Sequence, residues 1–292
     1  MRAAVLGSPI AHSLSPYLHR AAYRAMGLAG WSYEAFECDE ARLPALLREL
    51  TPARQGPVTR APADEPGTGG VWAGLSLTMP LKRAVLPLLD TVSGVAVEVG
   101  GANTVVFRDG GRHGDNTDVH GIERALAEAG VPAPRSATVL GGGATAASAL
   151  AALRNLGLHA ATLLVRDPAR AGGTVEVAER LGVALAVETF DKLDASIRVD
   201  LVVSTLPGGA ADVLADRLAG VPALFDVVYS PWPTRAAAAV AAAGGTVVGG
   251  FAMLLHQAVR QVELMTGRTG VPVEAMRAAG EAEIRRRAAA LA

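Results

Sequence analysis

The segment Thr138-Val139-Leu140-Gly141-Gly142-Gly143-Ala144-Thr145-Ala146 constrains this chain more than any other. A short apolar run breaks into glycines and then enters an alanine-rich stretch, the pattern of a strand, a tight turn and a helix. It fits G-x-G-x-x-A, in which glycines let the backbone approach a pyrophosphate at a helix N-terminus. A lone glycine run is more often only a turn. Here a second strand follows over 161–165, and further strand-like runs lie at 201–204, 224–228 and 246–248 with helical stretches between them. Such alternation predicts an α/β protein with parallel sheets.

After the second strand, where an acidic residue would hold a ribose hydroxyl, the chain has Val165-Arg166-Asp167 and then Arg170. Arg166 and Arg170 suit a 2′-phosphate and so favour NADP. Asp167 either pairs with one of them or accepts from a ribose. The plainer alternative for the segment is a solvated charged loop.

Composition narrows the class. At 292 residues the chain holds one large domain or two ordinary ones. Half the residues are hydrophobic, and 27 basic against 28 acidic residues leave a net charge of −1. That balance gives no footprint for nucleic acid or an anionic membrane surface. No apolar stretch is long enough to span a bilayer. The single cysteine, Cys38, excludes an internal disulfide and a cysteine zinc site, suits a reducing cytoplasm, and leaves no metal expected. Only Lys82 and Lys192 are lysines among the 27 basic residues. Arginine keeps its proton in proteins and lysine can release it, so a retained lysine draws notice.

The N-terminal half reads as a strand over 2–6 and a helix from Ser15-Pro16 to about Met26, with Ser15 as N-cap. A strand over 31–37 and a helix over 42–50 follow. Residues 51–70 read as an exposed loop, and 71–77 as a strand. A helix is expected from Pro80 to about Leu89, a hairpin around Asp109-Gly110-Gly111, and a helix over 119–129. The tail from Ala252 reads as helical, broken near 267–270.

Several segments, in this order, resemble the shikimate dehydrogenase family. They are Gly7-Ser8-Pro9-Ile10-Ala11-His12-Ser13-Leu14-Ser15-Pro16, Leu75-Ser76-Leu77-Thr78-Met79-Pro80-Leu81-Lys82, Gly101-Ala102-Asn103-Thr104, Gly114-Asp115-Asn116-Thr117-Asp118-Val119-His120-Gly121 and Gly250-Phe251-Ala252-Met253-Leu254-Leu255-His256-Gln257-Ala258. The resemblance spans nearly the whole chain apart from 51–70. It implies an N-terminal α/β substrate domain over 1–118 completed by C-terminal helices over 252–292. A Rossmann NADP-binding domain over 119–251 and a cleft between the two complete the implied fold. The implied reaction is the reversible NADP-linked reduction of 3-dehydroshikimate to shikimate in aromatic amino-acid biosynthesis, by a monomer or homodimer.

The resemblance also implies roles. Lys82 and Asp118 match the catalytic pair; a lysine beside a nascent alkoxide can give or take its proton. Ser13 and Ser15 match the carboxylate-binding serines, and two hydroxyls near a helix N-terminus suit an anion. Thr78, Asn103, Tyr229 and Gln257 match substrate-side positions. Gly141, Gly142, Gly143, Ala144, Thr145, Arg166, Arg170, Thr205, Gly250 and Met253 fall to the cofactor. His12 is given no chemistry. The chain departs from the family pattern at Ser76, where Asn is common, at Val165-Arg166-Asp167, where Asn-Arg-Thr is common, and at Ser204-Thr205-Leu206-Pro207. Two alternatives stand beside this reading: an NAD-linked quinate/shikimate dehydrogenase, and a silent paralogue that binds the same ligands without turnover.

Overall fold

A computed structural model describes residues 1–51 and 71–290. The loop expected at 51–70 therefore lies, apart from Thr51, outside the described residues. The chain divides into two compact units, one taking Met1–Val97, Gly101–Thr117 and Ala258–Leu291, the other Glu98–Gly100 and Asp118–Gln257.

The first unit is built on a six-stranded sheet. Its strands are β1 (Arg2–Gly7), β2 (Ser32–Glu37), β3 (Trp72–Leu77), β4 (Thr91–Val92), β5 (Thr104–Arg108) and β6 (Gly111–Asp115), in the order β2-β1-β3-β5-β6-β4. β1 and β3 are almost wholly buried, which explains their near-continuous apolar runs. One face packs on an apolar cluster that includes Leu6, Leu43, Leu47, Leu75, Leu81 and Val105. The sheet is mixed rather than parallel, because β5 runs antiparallel to both β3 and β6. The cause is the turn: Asp109 and Gly110 adopt φ of 53° and 71°, and a two-residue turn of that hand returns the chain only as a hairpin.

The helix Ser15–Ala25 begins with Leu14 as N-cap, correcting the reading of Ser15 in that place. Ser15 lies inside the first turn, and Ser13 Oγ accepts its N–H at 3.3 Å. The helix expected from Pro80 to Leu89 is a single turn, Leu81–Ala84, followed by a 3-10 turn at Leu86–Leu88. Pro87 has no N–H to continue the helical ladder.

The second unit carries β7 (Ala137–Leu140), β8 (Ala160–Val165), β9 (Ala184–Thr189), β10 (Leu201–Ser204), β11 (Ala223–Asp226) and β12 (Thr246–Gly249). All its pairings are parallel, and the order is β12-β11-β10-β7-β8-β9. This is the order of a Rossmann sheet, with β7 and β10 at its centre. Alanines Ala146, Ala147, Ala149, Ala151 and Ala152 of the helix Ala144–Asn155 are buried, and small side chains let that helix lie close on the sheet. β9 escapes sequence reading because its alternation of exposed and half-buried residues over Ala184-Leu185-Ala186-Val187-Glu188-Thr189 marks it only weakly.

Candidate active site

In open α/β sheets, ligands gather beyond the carboxyl ends of the strands. The candidate residues of the first unit follow that rule. Ser13 and Ser15 lie on the connection after β1, and Thr78 and Lys82 on the connection after β3. Asn103 immediately precedes the antiparallel β5, so it arrives at the same edge. The strand ends are tightly tied. Thr78 donates its N–H to Leu6 O at 2.9 Å, and Ser8 donates to Met79 O at 3.0 Å. Gly7 is required here, since a Cβ would lie 2.3 Å from Thr78 Cγ2.

Lys82 sits on the one-turn helix after β3, and its carbonyl accepts the Ala102 N–H at 2.8 Å. Its main chain is thus fixed to the residue before Asn103. Leu77 N–H in turn donates to Asn103 O at 2.7 Å. The Asn103 side chain is 1% exposed and fully oriented. Its Oδ1 accepts Thr117 N–H at 2.8 Å and Thr104 Oγ1 at 2.8 Å, while Nδ2 donates to Thr117 Oγ1 at 3.0 Å. Asn116 Nδ2 donates to Gly101 O at 2.9 Å, so the two Asn-Thr segments brace one another.

Behind these residues lies a buried polar chain that sequence reasoning missed. Gln261 Oε1 accepts from Ser76 Oγ at 2.8 Å, and its Nε2 donates to Asn103 O at 3.2 Å and Thr104 Oγ1 at 3.0 Å. His19 Nε2 lies 3.3 Å from the same Oε1, and Tyr33 donates its hydroxyl to Ser76 Oγ at 2.6 Å. The His19 and Tyr33 rings stack with centroids 3.9 Å apart. Burial pushes the His19 imidazole down to about 3, against the Gln261 bond, so it stays neutral in ordinary buffers. Burial likewise raises the Tyr33 phenol, and it remains a donor. The available signal was Gln261 itself, a polar residue set between the apolar Ala258, Val262 and Met265.

Asp118 opens the helix Asp118–Glu128 in the second unit and is 3% exposed. It follows Thr117, the residue locked to Asn103, directly in the chain. That helix meets the helix Gly250–Thr266 closely: a Cβ on Gly121 would lie 2.7 Å from Met253 O and 3.0 Å from Gln257 Cβ. His256 Nε2 and Glu128 Oε2, 2.6 Å apart, pin the same pair of helices. Within this unit Asp118, Met253 and Gln257 therefore belong to one helix pair. Gln257 is buried and donates from Nε2 to Leu254 O at 2.9 Å. Tyr229 is half-buried just beyond β11.

The remaining candidates lie at the carboxyl edge of the second sheet. Gly141, at φ +97°, has no room for a side chain, because a Cβ would lie 2.8 Å from Thr205 Oγ1. Gly142 would meet Val165 Cγ1 at 3.1 Å. Gly143 is the N-cap of the helix Ala144–Asn155, and no side chain caps that terminus. A helix N-terminus without a side-chain cap beside side-chain-free backbone fits a pyrophosphate. Thr205 is held by its N–H and hydroxyl, both donated to Leu140 O, at 2.9 and 2.8 Å. Gly250 follows β12, where a Cβ would lie 1.9 Å from Val227 O. Arg166 and Arg170 are exposed on the turn after β8. Asp167 does not spend its carboxylate on either arginine. It caps the turn Pro168–Ala171, accepting the Ala169 N–H at 3.0 Å.

Among the described residues no group of three or more His, Cys, Asp or Glu is arranged to hold a metal, and no helix is long and apolar enough to cross a membrane.

Comparison with known proteins decides the family. Residues 5–59 and 67–105 match the model for the shikimate dehydrogenase substrate binding domain, and 250–279 match the shikimate 5′-dehydrogenase C-terminal domain. The shikimate dehydrogenase (NADP(+)) of Methanothermobacter thermautotrophicus is 32% identical over 90% of each chain, and that of Salinibacter ruber 35% identical over 93% of this chain and 94% of the relative. The chain belongs to the shikimate dehydrogenase family. Solved members agree in fold. The shikimate dehydrogenase of Mycobacterium tuberculosis superposes with a TM-score of 0.83 at 43% identity, covering 96% of this chain and 99% of that one. A shikimate 5-dehydrogenase from Thermus thermophilus, in complex with NADP(H) and shikimate, gives 0.77 at 32% identity, covering 96% and 98%.

Proposed function

We propose that this protein is an NADP-dependent shikimate dehydrogenase, reversibly reducing 3-dehydroshikimate to shikimate within aromatic amino-acid biosynthesis in the cytoplasm. The observation that carries the reading is the placement of Lys82. One of only two lysines stands on a turn whose main chain is tied to the residue before an oriented, buried Asn103.

NADP supplies the hydride acceptor or donor when bound, held by Gly141, Gly142, Gly143, Ala144 and Thr145 at the pyrophosphate and by Arg166 and Arg170 at the 2′-phosphate. Thr205, Gly250 and Met253 complete its site. In the oxidative direction Lys82 removes the proton of the reacting hydroxyl, and in the reductive direction it returns one. Asp118 is the second catalytic group, a buried carboxylate at the start of its helix. Ser13 and Ser15 bind the substrate carboxylate, and Thr78, Asn103, Tyr229 and Gln257 bind the ring hydroxyls. Neutral hydroxyl and amide groups suit a polyhydroxylated ring because each both orients and discriminates.

The resemblance to named NADP(+) relatives supports NADP over NAD, and the presence of both Lys82 and Asp118 speaks against a silent paralogue. Lys82→Ala tests the assignment: turnover should fall about a thousandfold with shikimate binding retained, the range for loss of a general acid–base. Retained turnover would remove Lys82 from the chemistry.

A further inference from the structure

The loop that carries Ser13 and leads into Ser15 is held by the last turn of the helix Val273–Ala289. Basic residues at a helix C-terminus commonly satisfy only their own helix. Arg287 reaches away from it. Its Nη1 donates to the His12 carbonyl at 2.5 Å and its Nη2 to the Ser13 carbonyl at 3.3 Å. Its Nε donates to Glu283 Oε1 at 2.6 Å, and its guanidinium stands 5.7 Å from the centre of the Tyr17 ring. The planar fork is thereby fixed on four sides, a geometry lysine cannot reproduce.

Glu283 anchors the arrangement. Its side chain is only 4% exposed and accepts from Arg286 Nε and Nη2, both at 2.7 Å, as well as from Arg287. Arg286 foremost, then Arg287 and the Tyr17 hydroxyl, hold its carboxyl at about 2 against the opposing effect of burial. Two guanidinium groups face one carboxylate, which leaves one net positive charge beside Ser13. On the other side of that carbonyl, Ser13 Oγ accepts the Ser15 N–H and sets the first turn of the helix Ser15–Ala25.

We propose that Arg287 is a positioning and specificity residue for the substrate's carboxylate. It fixes the His12–Ser15 backbone so that the two hydroxyls are presented together, and it supplies the positive charge that the serines lack. The inference rests on the reading of Ser13 and Ser15 as carboxylate ligands and extends it to a residue more than two hundred positions away in sequence. A neutral ligand of the same shape would gain nothing from the charge.

The test compares Arg287→Gln, Arg287→Lys and Arg286→Gln in the full chain. Initial rates are measured against shikimate at saturating NADP and against NADP at saturating shikimate. Arg287→Gln should raise KM for shikimate about tenfold while kcat and KM for NADP stay within about twofold. Arg287→Lys, which keeps the charge and loses the fork, should recover part of that loss. Arg286→Gln removes the same net charge but keeps the fork on the His12 and Ser13 carbonyls, so it should raise KM for shikimate by less than Arg287→Gln and leave kcat and KM for NADP unchanged. Hydrogen exchange over residues 10–17 of the unliganded protein should quicken in Arg287→Gln and not in Arg286→Gln. An unchanged KM for shikimate, equal effects of the two glutamine variants, or a loss confined to kcat would overturn the proposal. Should Arg287→Gln fail to fold, Arg287→Lys against Arg286→Gln makes the same comparison. A wild-type protein without shikimate turnover would sink the functional reading alone, because the exchange measurement still reports whether Arg287 holds the loop.

Discussion

Ser76 donates its hydroxyl to Gln261 Oε1 at 2.8 Å, joining the end of a central strand to a helix 185 residues later in the chain. Through Thr104 Oγ1 the same amide reaches the Asn103 side chain. Both functional faces of Gln261 are used, its oxygen by Ser76 and His19 and its nitrogen by Asn103 and Thr104.

Gln261→Leu removes this hub and keeps the volume. It leaves the buried Ser76 hydroxyl without its acceptor and Thr104 Oγ1 without its donor, while Thr104 still donates to Asn103 Oδ1 and Ser76 still accepts from Tyr33, which costs about 1–3 kcal/mol. The melting temperature should drop, and KM for shikimate should rise more than KM for NADP because Asn103 loses its brace. Equal stability in thermal unfolding would show that the chain is held without Gln261.

His19 makes stability depend on pH. Burial lowers its imidazole from 6.5 to about 3. Below about 6.5 the unfolded chain binds a proton that the folded chain takes up only near 3, so stability falls as pH drops through that window and is unaffected above it. The contribution reaches about 1.4 kcal/mol per pH unit at its steepest. His19→Gln, which cannot titrate, should show a smaller difference between urea unfolding at about pH 7 and at about pH 4. An equal difference would mean that other groups govern acid sensitivity.

Asp167 caps the turn bearing Arg170 and adds a negative charge where a 2′-phosphate is proposed to sit. Asp167→Asn keeps a capping oxygen and removes the charge. KM for NADP should fall about two- to fivefold, the scale of an exposed charge interaction, while KM for NAD barely moves. A rise in KM for NADP would show that the carboxylate serves the arginines rather than opposing the phosphate.

Much of this fold was legible because its signals are local. The run into Gly141-Gly142-Gly143 announced strand, turn and helix, and Asp109-Gly110 announced a hairpin. What that hairpin does to the sheet is not visible locally: it sets β5 and β6 antiparallel to one another, so the first sheet is mixed, and the pairing with β3 decides that β5 is the reversed strand. Ser15 looked like a cap by residue type, yet Ser13 takes that contact two residues earlier. Gln261, His19 and Tyr33 escaped notice for a different reason, and Ser76 drew notice only as a departure from the family pattern. Each is ordinary in its own window, and their partnership exists only once the helix Ser15–Ala25, β2, β3 and the helix Gly250–Thr266 share a core. Arg287 is the extreme case, because a basic residue in a last helical turn needs no further explanation until its carbonyl partners are known.

The central claim is NADP-linked oxidation of shikimate. Its most direct test is the initial rate of reduced-cofactor formation with shikimate or quinate, each paired with NADP or NAD. The account predicts turnover with shikimate and NADP and far less with the other three pairs. Preference for quinate or NAD, or no turnover with any pair, would contradict it.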